Sequence, residues 1–459
     1  GCRSRPAALL TPMEGVAVPV AKVARSPFPR VFWVANFVEV LERFAYYGIY
    51  FGFGIYMTHL GYSRDQLGIV QSLFLLLSYS VPVISGSFAD RYGFKKVLIV
   101  SYLAYLPSIL LLLVTKSLSG IMVTMLLIGM AAGIFKPLVA GSVRVMTDST
   151  NKTLGFGIFY AMVNIGGTLG PIVAGVLRAI SWNYAFAAAG VSIVLMLLVT
   201  IFFYEEPPRE KRGKSVGETL KEIGLTLADW KFSTFLVLLG FFWWLPFWAF
   251  FNLCGLYTDS NLDTARLYQD IRWFFSTILF FIPGAGEAIA NLLSQEKDGV
   301  RHILGETISS TGWVIMVCQV FVSRAAEKAR AMPAFMLGLL LSGLGFVVIG
   351  RAAVTSPSLI FPGIALFAIG EMLCSPRIQE YITWIAPKDK AGLYMGSNFL
   401  GTMIGGFTSG AIYTTLSDRF AKAGVPGRVW DVMALNVFVA IGVFWLFRRV
   451  AGDFKEMES

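Results

Sequence analysis

Residues 205–231 read EEPPREKRGKSVGETLKEIGLTLADWK. This stretch is charged, carries paired prolines and cannot lie in hydrocarbon, whereas the sequence on either side of it is apolar for long distances. Crossing the hydrocarbon core takes about 20 mostly apolar residues in a helix. Working back from residue 205, such runs fall at 182–204, 155–178, 119–146, 97–115, 66–89 and 31–58. Working forward, they fall at 232–258, 303–323, 331–353, 359–380, 391–416 and 431–450. The pattern predicts an all-α membrane protein of 12 transmembrane helices in two six-helix bundles, 31–204 and 232–450, joined by a cytoplasmic linker. The alternating pattern of an outer-membrane barrel is absent.

Composition excludes the soluble classes. Of 459 residues, 56% are hydrophobic and only 14% charged, with a mean hydropathy of +0.67, so a soluble enzyme or a nucleic-acid binder is ruled out. The net charge of +10 fits basic loops at a membrane surface better than nucleic acid. Four scattered cysteines and two isolated histidines, His59 and His302, offer neither a disulfide framework nor a metal site. No cofactor is expected beyond a proton gradient.

Lys and Arg concentrate on the side that holds the N-terminus, with Arg25, Arg30, Arg91, Lys95, Lys96, Arg324, Lys328 and Arg330 as examples. The positive-inside rule therefore places both termini in the cytoplasm, in a plasma or bacterial inner membrane. Residues 1–30 lack a continuous apolar core and read as a disordered basic segment, not a secretory signal; 451–459 form a polar tail. Residues 259–302 resist the count. They include WFFSTILFFIP (273–283), too short to cross, and are expected to form an outer loop with an interfacial helix, a re-entrant segment being the alternative.

Ionisable groups within spans are costly and rare. Glu39, Glu42 and Arg43 share one face of the first span at i, i+3, i+4 spacing; Lys136 stands in the fourth and Glu371 in the tenth. Three acids against two bases leave one carboxylate over, and a proton neutralises it, as a proton-coupled carrier requires. Between spans two and three, GSFADRYGFKK (86–96) matches the pattern recurring there in the major facilitator superfamily. Gly86, Asp90, Arg91, Gly93, Lys95 and Lys96 are expected to form a gating loop, with the glycines allowing close packing and a tight turn.

A narrower resemblance follows. EVLERFAYYG (39–48) fits the ExxERFxYYG motif of the proton-dependent oligopeptide transporter family at every defined position. GIFKP (133–137), FYAMVNIGG (159–167), FWA (247–249) and Glu371 with Ser375-Pro376 resemble its motifs in spans four, five, seven and ten. The resemblance implies that Glu39, Glu42, Arg43, Lys136 and Glu371 couple protons. It also implies that Tyr46, Tyr47, Tyr50, Tyr160, Asn164, Trp248, Asn252, Glu371 and Ser375 line the substrate cavity.

Two departures stand out. Tyr50 occupies a position where the family commonly has an arginine for the peptide carboxylate, and Asn252 one where it has an aspartate; neither can supply the charge. ETISSTGWVIMVCQ (306–319) has no close match to the family's eighth span. Three readings follow: a symporter of di- or tripeptides, a carrier of a related small solute, or a non-transporting subunit docking to a membrane-protein partner through 259–302.

Overall fold

A computed structural model describes residues 26–148, 150–207, 216–326, 329–385 and 391–451. The terminal segments 1–25 and 452–459 lie outside the described residues. The first half consists of α1 (Arg30–His59), α2 (Arg64–Ser80), α3 (Pro82–Tyr92), α4 (Phe94–Val114), α5 (Leu118–Val145), α6 (Lys152–Ile180) and α7 (Trp182–Phe203). Pro82, which lacks an amide proton, divides α2 from α3 within a single apolar stretch. Ser63 and Gln66 cap each other's amides at the start of α2. Small residues let helices meet: Gly166 and Gly170 of α6 lie against α1 at Arg43 and Phe44, so close that a methyl group would collide.

The linker holds α8 (Val216–Leu227), a helix the reading of 205–231 as a polar break does not foresee. The second half begins with α9 (Trp230–Leu239), a π-turn at Gly240–Trp244 and α10 (Leu245–Asn261). Next come α11 (Thr264–Ile278), α12 (Ala285–Leu292) and an antiparallel hairpin of β1 (Ser294–Lys297) and β2 (Val300–Ile303), pairing Ser294 with Ile303. The chain continues through α13 (Gly305–Ile308), α14 (Gly312–Ala326), α15 (Ala331–Arg351), α16 (Ile360–Ile385), α17 (Ala391–Ser409), a π-turn at Gly410–Thr414, α18 (Thr415–Lys422) and α19 (Arg428–Ala451).

Nine helical stretches among the described residues are long and apolar enough to cross a membrane. Helix α1 is 30 residues long but holds Glu39, Glu42 and Arg43. The expected span 303–323 needs correction. Its first residues belong to β2 and α13, and a helix of only 15 residues starts at Gly312. The Ser309-Ser310-Thr311 hydroxyls explain the break, because such side chains compete for backbone partners; the Ser309 hydroxyl donates to the Gly305 carbonyl at 2.5 Å. Residues 259–302 carry two helices and a hairpin instead of one interfacial helix, and Trp273, Phe280 and Phe281 at their tip are exposed. Elsewhere Val114, Ile180 and Phe202 are exposed as well, the arrangement expected where hydrocarbon is the solvent.

Helix α1 packs on α6 and α7, and α15 on α16 and α19, within the two halves. Between the halves, α2 meets α17 and its π-turn, α1 meets α10, and α6 meets α13 and α14. The candidate site lies along this seam.

Candidate functional site

On α1, the Arg43 Nε atom donates to Glu39 Oε1 at 2.7 Å and lies 3.2 Å from Glu42 Oε2. One guanidinium thus serves two carboxylates, all three groups being buried. From α4, the Tyr105 hydroxyl donates to Glu42 Oε1 at 3.3 Å. Among the described residues, the second oxygens of Glu39 and Glu42 have no hydrogen-bond partner. Lys136, on α5, does not pair with either acid among the described residues. Its ammonium donates to the Ser78 hydroxyl at 2.6 Å and sits 4.2 Å and 4.8 Å from the ring centres of Tyr46 and Tyr79. Two π faces and one hydroxyl hold this cation beside the acid cluster but apart from it. The Tyr46 hydroxyl completes the group at 3.2 Å from the same Ser78 oxygen.

Across the seam, Glu371 on α16 accepts a hydrogen bond from Thr311, the residue just before α14, and among the described residues its Oε2 has no partner. Tyr160, on α6, packs on the small cluster formed by α14 and α16. The Asn164 amide donates to the Tyr160 carbonyl at 2.8 Å. Tyr47, Asn164 and Ser375 are half-buried.

Tyr50 and Asn252 meet across the seam. Tyr50 donates its hydroxyl directly to the Asn252 side-chain oxygen, and the Asn252 amide donates to Ser409 at 3.0 Å. Both residues are buried in the closed seam. Trp248 belongs to the same seal, its ring 5.9 Å from Tyr50 and 5.2 Å from Tyr79. Phe51 and Phe251 stack across the seam at 5.2 Å.

Nearer the face opposite the linker the seal is polar. Ser72 accepts from the Ala411 amide at 2.9 Å, and Thr414 donates to Gln71 at 2.9 Å. Arg178, at the end of α6, donates through Nε and Nη2 to Glu306 of α13 and through Nη2 to Asp259 of α10, at 2.8 Å for Asp259. Asp259 also accepts from the Gly305 amide at 2.6 Å.

The family model for the Major Facilitator Superfamily matches residues 33–410. The chain belongs to this superfamily. It is a multi-pass membrane transporter, not an enzyme, and the all-α fold read from its sequence holds. An uncharacterized transporter of Bacillus subtilis, YclF, is 23% identical over 81% of this chain and 85% of its own length. The quinolone resistance protein NorA of Staphylococcus aureus is 28% identical over 46% of this chain, which spans about half of NorA. A solved structure of a POT family transporter in complex with 5-aminolevulinic acid superposes with a TM-score of 0.71. It is 18% identical, over 94% of this chain and 99% of that one.

The 86–96 loop is tied to the end of the first half by hydrogen bonds. Gly93 adopts φ 98°, and the Glu206 carboxylate beside it accepts from the Phe94 and Lys95 amides at 2.7 and 2.9 Å. A Cβ at Gly93 would lie 2.8 Å from that carboxylate. Lys95 donates to the Ile201 carbonyl at 2.9 Å, while Arg91 and Lys96 are exposed. Gly86 has open space where a side chain would go, so the close packing expected of it is not found. The Asp90 side chain lies outside the described residues.

Sequence reasoning missed Arg178, Asp259 and Glu306. The signal was present: Arg178 ends the run 155–178, and Glu306 falls inside the run 303–323.

Proposed function

We propose that this transporter is a proton-coupled symporter of the oligopeptide transporter type, carrying a small peptide or a related small solute toward the linker face, which is cytoplasmic. The observation that carries this reading is the clasp of Arg43 by both Glu39 and Glu42, with Lys136 held off on Ser78. In a low-dielectric interior that cluster has one negative charge more than its guanidinium balances. A proton on one carboxylate is the least costly way to remove it. Loss of that proton gives Lys136 a carboxylate to pair with, and leaving its seat between Tyr46 and Tyr79 disturbs the aromatic seal that Tyr79 shares with Trp248.

In this reading Glu371 receives the ammonium end of the solute through its unbonded oxygen, with Ser375 one turn further on. Tyr47, Tyr160 and Asn164 flank it. Alternating access proceeds by rocking of the two halves. Because the Tyr50 hydroxyl is committed to Asn252, no fixed cation at that position meets a substrate carboxylate, which favours solutes recognised mainly by their amino group. The test is uptake into proteoliposomes under an imposed pH gradient, with dialanine and its C-terminal amide compared. Accumulation that rises with the gradient supports the proposal; uptake indifferent to the gradient ends it.

A further inference from the structure

The face opposite the linker holds a cavity of about 640 Å³. Its wall includes Arg178, Lys116, Lys297 and His59, and no Asp or Glu is among its lining residues. Arg178 forms part of this wall with a side chain only 10% exposed. Its Nε and Nη2 atoms are taken by Glu306 and Asp259, and among the described residues nothing is bonded to Nη1. The guanidinium is held in place further by Trp182, whose ring centre lies 5.3 Å from Cζ. Lys116 donates to the Tyr56 hydroxyl at 3.0 Å, which spends one of three ammonium protons. The cavity therefore combines the unbonded edge of a guanidinium, whose other edge is held by Glu306 and Asp259, with two surface ammonium groups.

We infer that this cavity binds a small anion, the carboxylate of the transported solute, at the free edge of Arg178, with Lys116 and Lys297 attracting it. A planar guanidinium edge suits a carboxylate, and flexible lysines at the rim act as point charges. Lys116 and Lys297 outweigh the one negative charge that Glu306 and Asp259 leave over after pairing with Arg178, and the net positive charge concentrates anions. The site lies directly beside the Arg178–Glu306–Asp259 latch, so an anion docked there sits where the two halves must part. Only the solute's identity rests on the carrier reading above.

The test uses the full chain in lipid nanodiscs. The Asn183→Cys variant places a thiol in the cavity wall, and its rate of reaction with a water-soluble maleimide is measured. The parent chain supplies the background from its native cysteines. Dialanine and inorganic phosphate should each slow labelling severalfold, and dialanine amide should not. The protection should vanish when Lys116→Gln and Lys297→Gln are added, and at about 1 M salt, where screening shortens the reach of charge to about 3 Å. Equal effects of acid and amide, or protection unchanged in the added variants, would overturn the inference. So would protection that needs no added anion and appears only with anionic lipid, since the occupant is then a lipid headgroup. Proton-driven uptake plays no part in this measurement, so the inference and the proposed coupling can fail separately.

Discussion

The hydroxyl of Tyr50 on α1 donates to the side-chain oxygen of Asn252 on α10, a neutral bond joining the two halves where the family resemblance leads us to expect charges. Because Asn252 passes the connection to Ser409 on α17, three helices meet through two hydrogen bonds. Tyr50→Phe removes the donor and leaves a buried amide oxygen unpaired, costing about 1–3 kcal/mol of the closed arrangement. Spin labels at Arg64 and Asp418, on either side of the seam, should then show a larger population at long distance. An unchanged distance distribution would remove this bond from the gate.

Arg178→Gln strands two carboxylates at the end of the seam. Breaking a buried ion pair by deleting one partner costs about 3–5 kcal/mol, so the variant should open at the face opposite the linker and lose thermal stability in detergent. Glu306→Gln, which keeps a donor and acceptor in place, should be milder. If the Arg178→Gln variant melts like the native protein and remains closed, the latch has no mechanical role.

Glu39→Gln and Glu42→Gln keep the side-chain shape but remove a proton site. Concentrative uptake under a pH gradient should fall sharply in both variants, while counterflow exchange with both sides at one pH persists. Native-level accumulation in the two variants would place coupling elsewhere.

Lys136→Ala distinguishes a static cluster from a moving cation. Its ammonium contacts Ser78 and two rings, not the carboxylates, so its loss leaves the Arg43 pairs intact. The variant should fold with near-native melting but fail to accumulate solute. Poor folding would favour a purely structural role, and full pH-driven uptake would exclude both roles.

The succession of apolar runs and the acid–base spacing on α1 were legible because span length and helical periodicity are local properties. Glu39, Glu42 and Arg43 meet as i, i+3, i+4 spacing demands. The partner of Lys136 was not legible, because choosing between Ser78 and a glutamate depends on how four helices pack. Nor was the role of Tyr50 and Asn252: each reads as a missing charge by itself, and only their juxtaposition across the seam reveals a bond. The run 303–323 misled for another reason. The apolar residues from Trp313 onward were extended back over the polar Ser309-Ser310-Thr311, where the helix does not continue, and so Glu306 passed for part of a span instead of an ion-pair partner.

Glu206 caps α4 from more than a hundred residues downstream, and this has a consequence for biosynthesis. Until the ribosome has passed that codon, the first amides of α4 have no carboxylate to receive them, and the left-handed turn at Gly93 has nothing to close upon. The first half is therefore finished by the second residue of the linker. That half can thus be completed while the rest of the linker is being made and before the second half is begun, in keeping with domains completing themselves in order of synthesis.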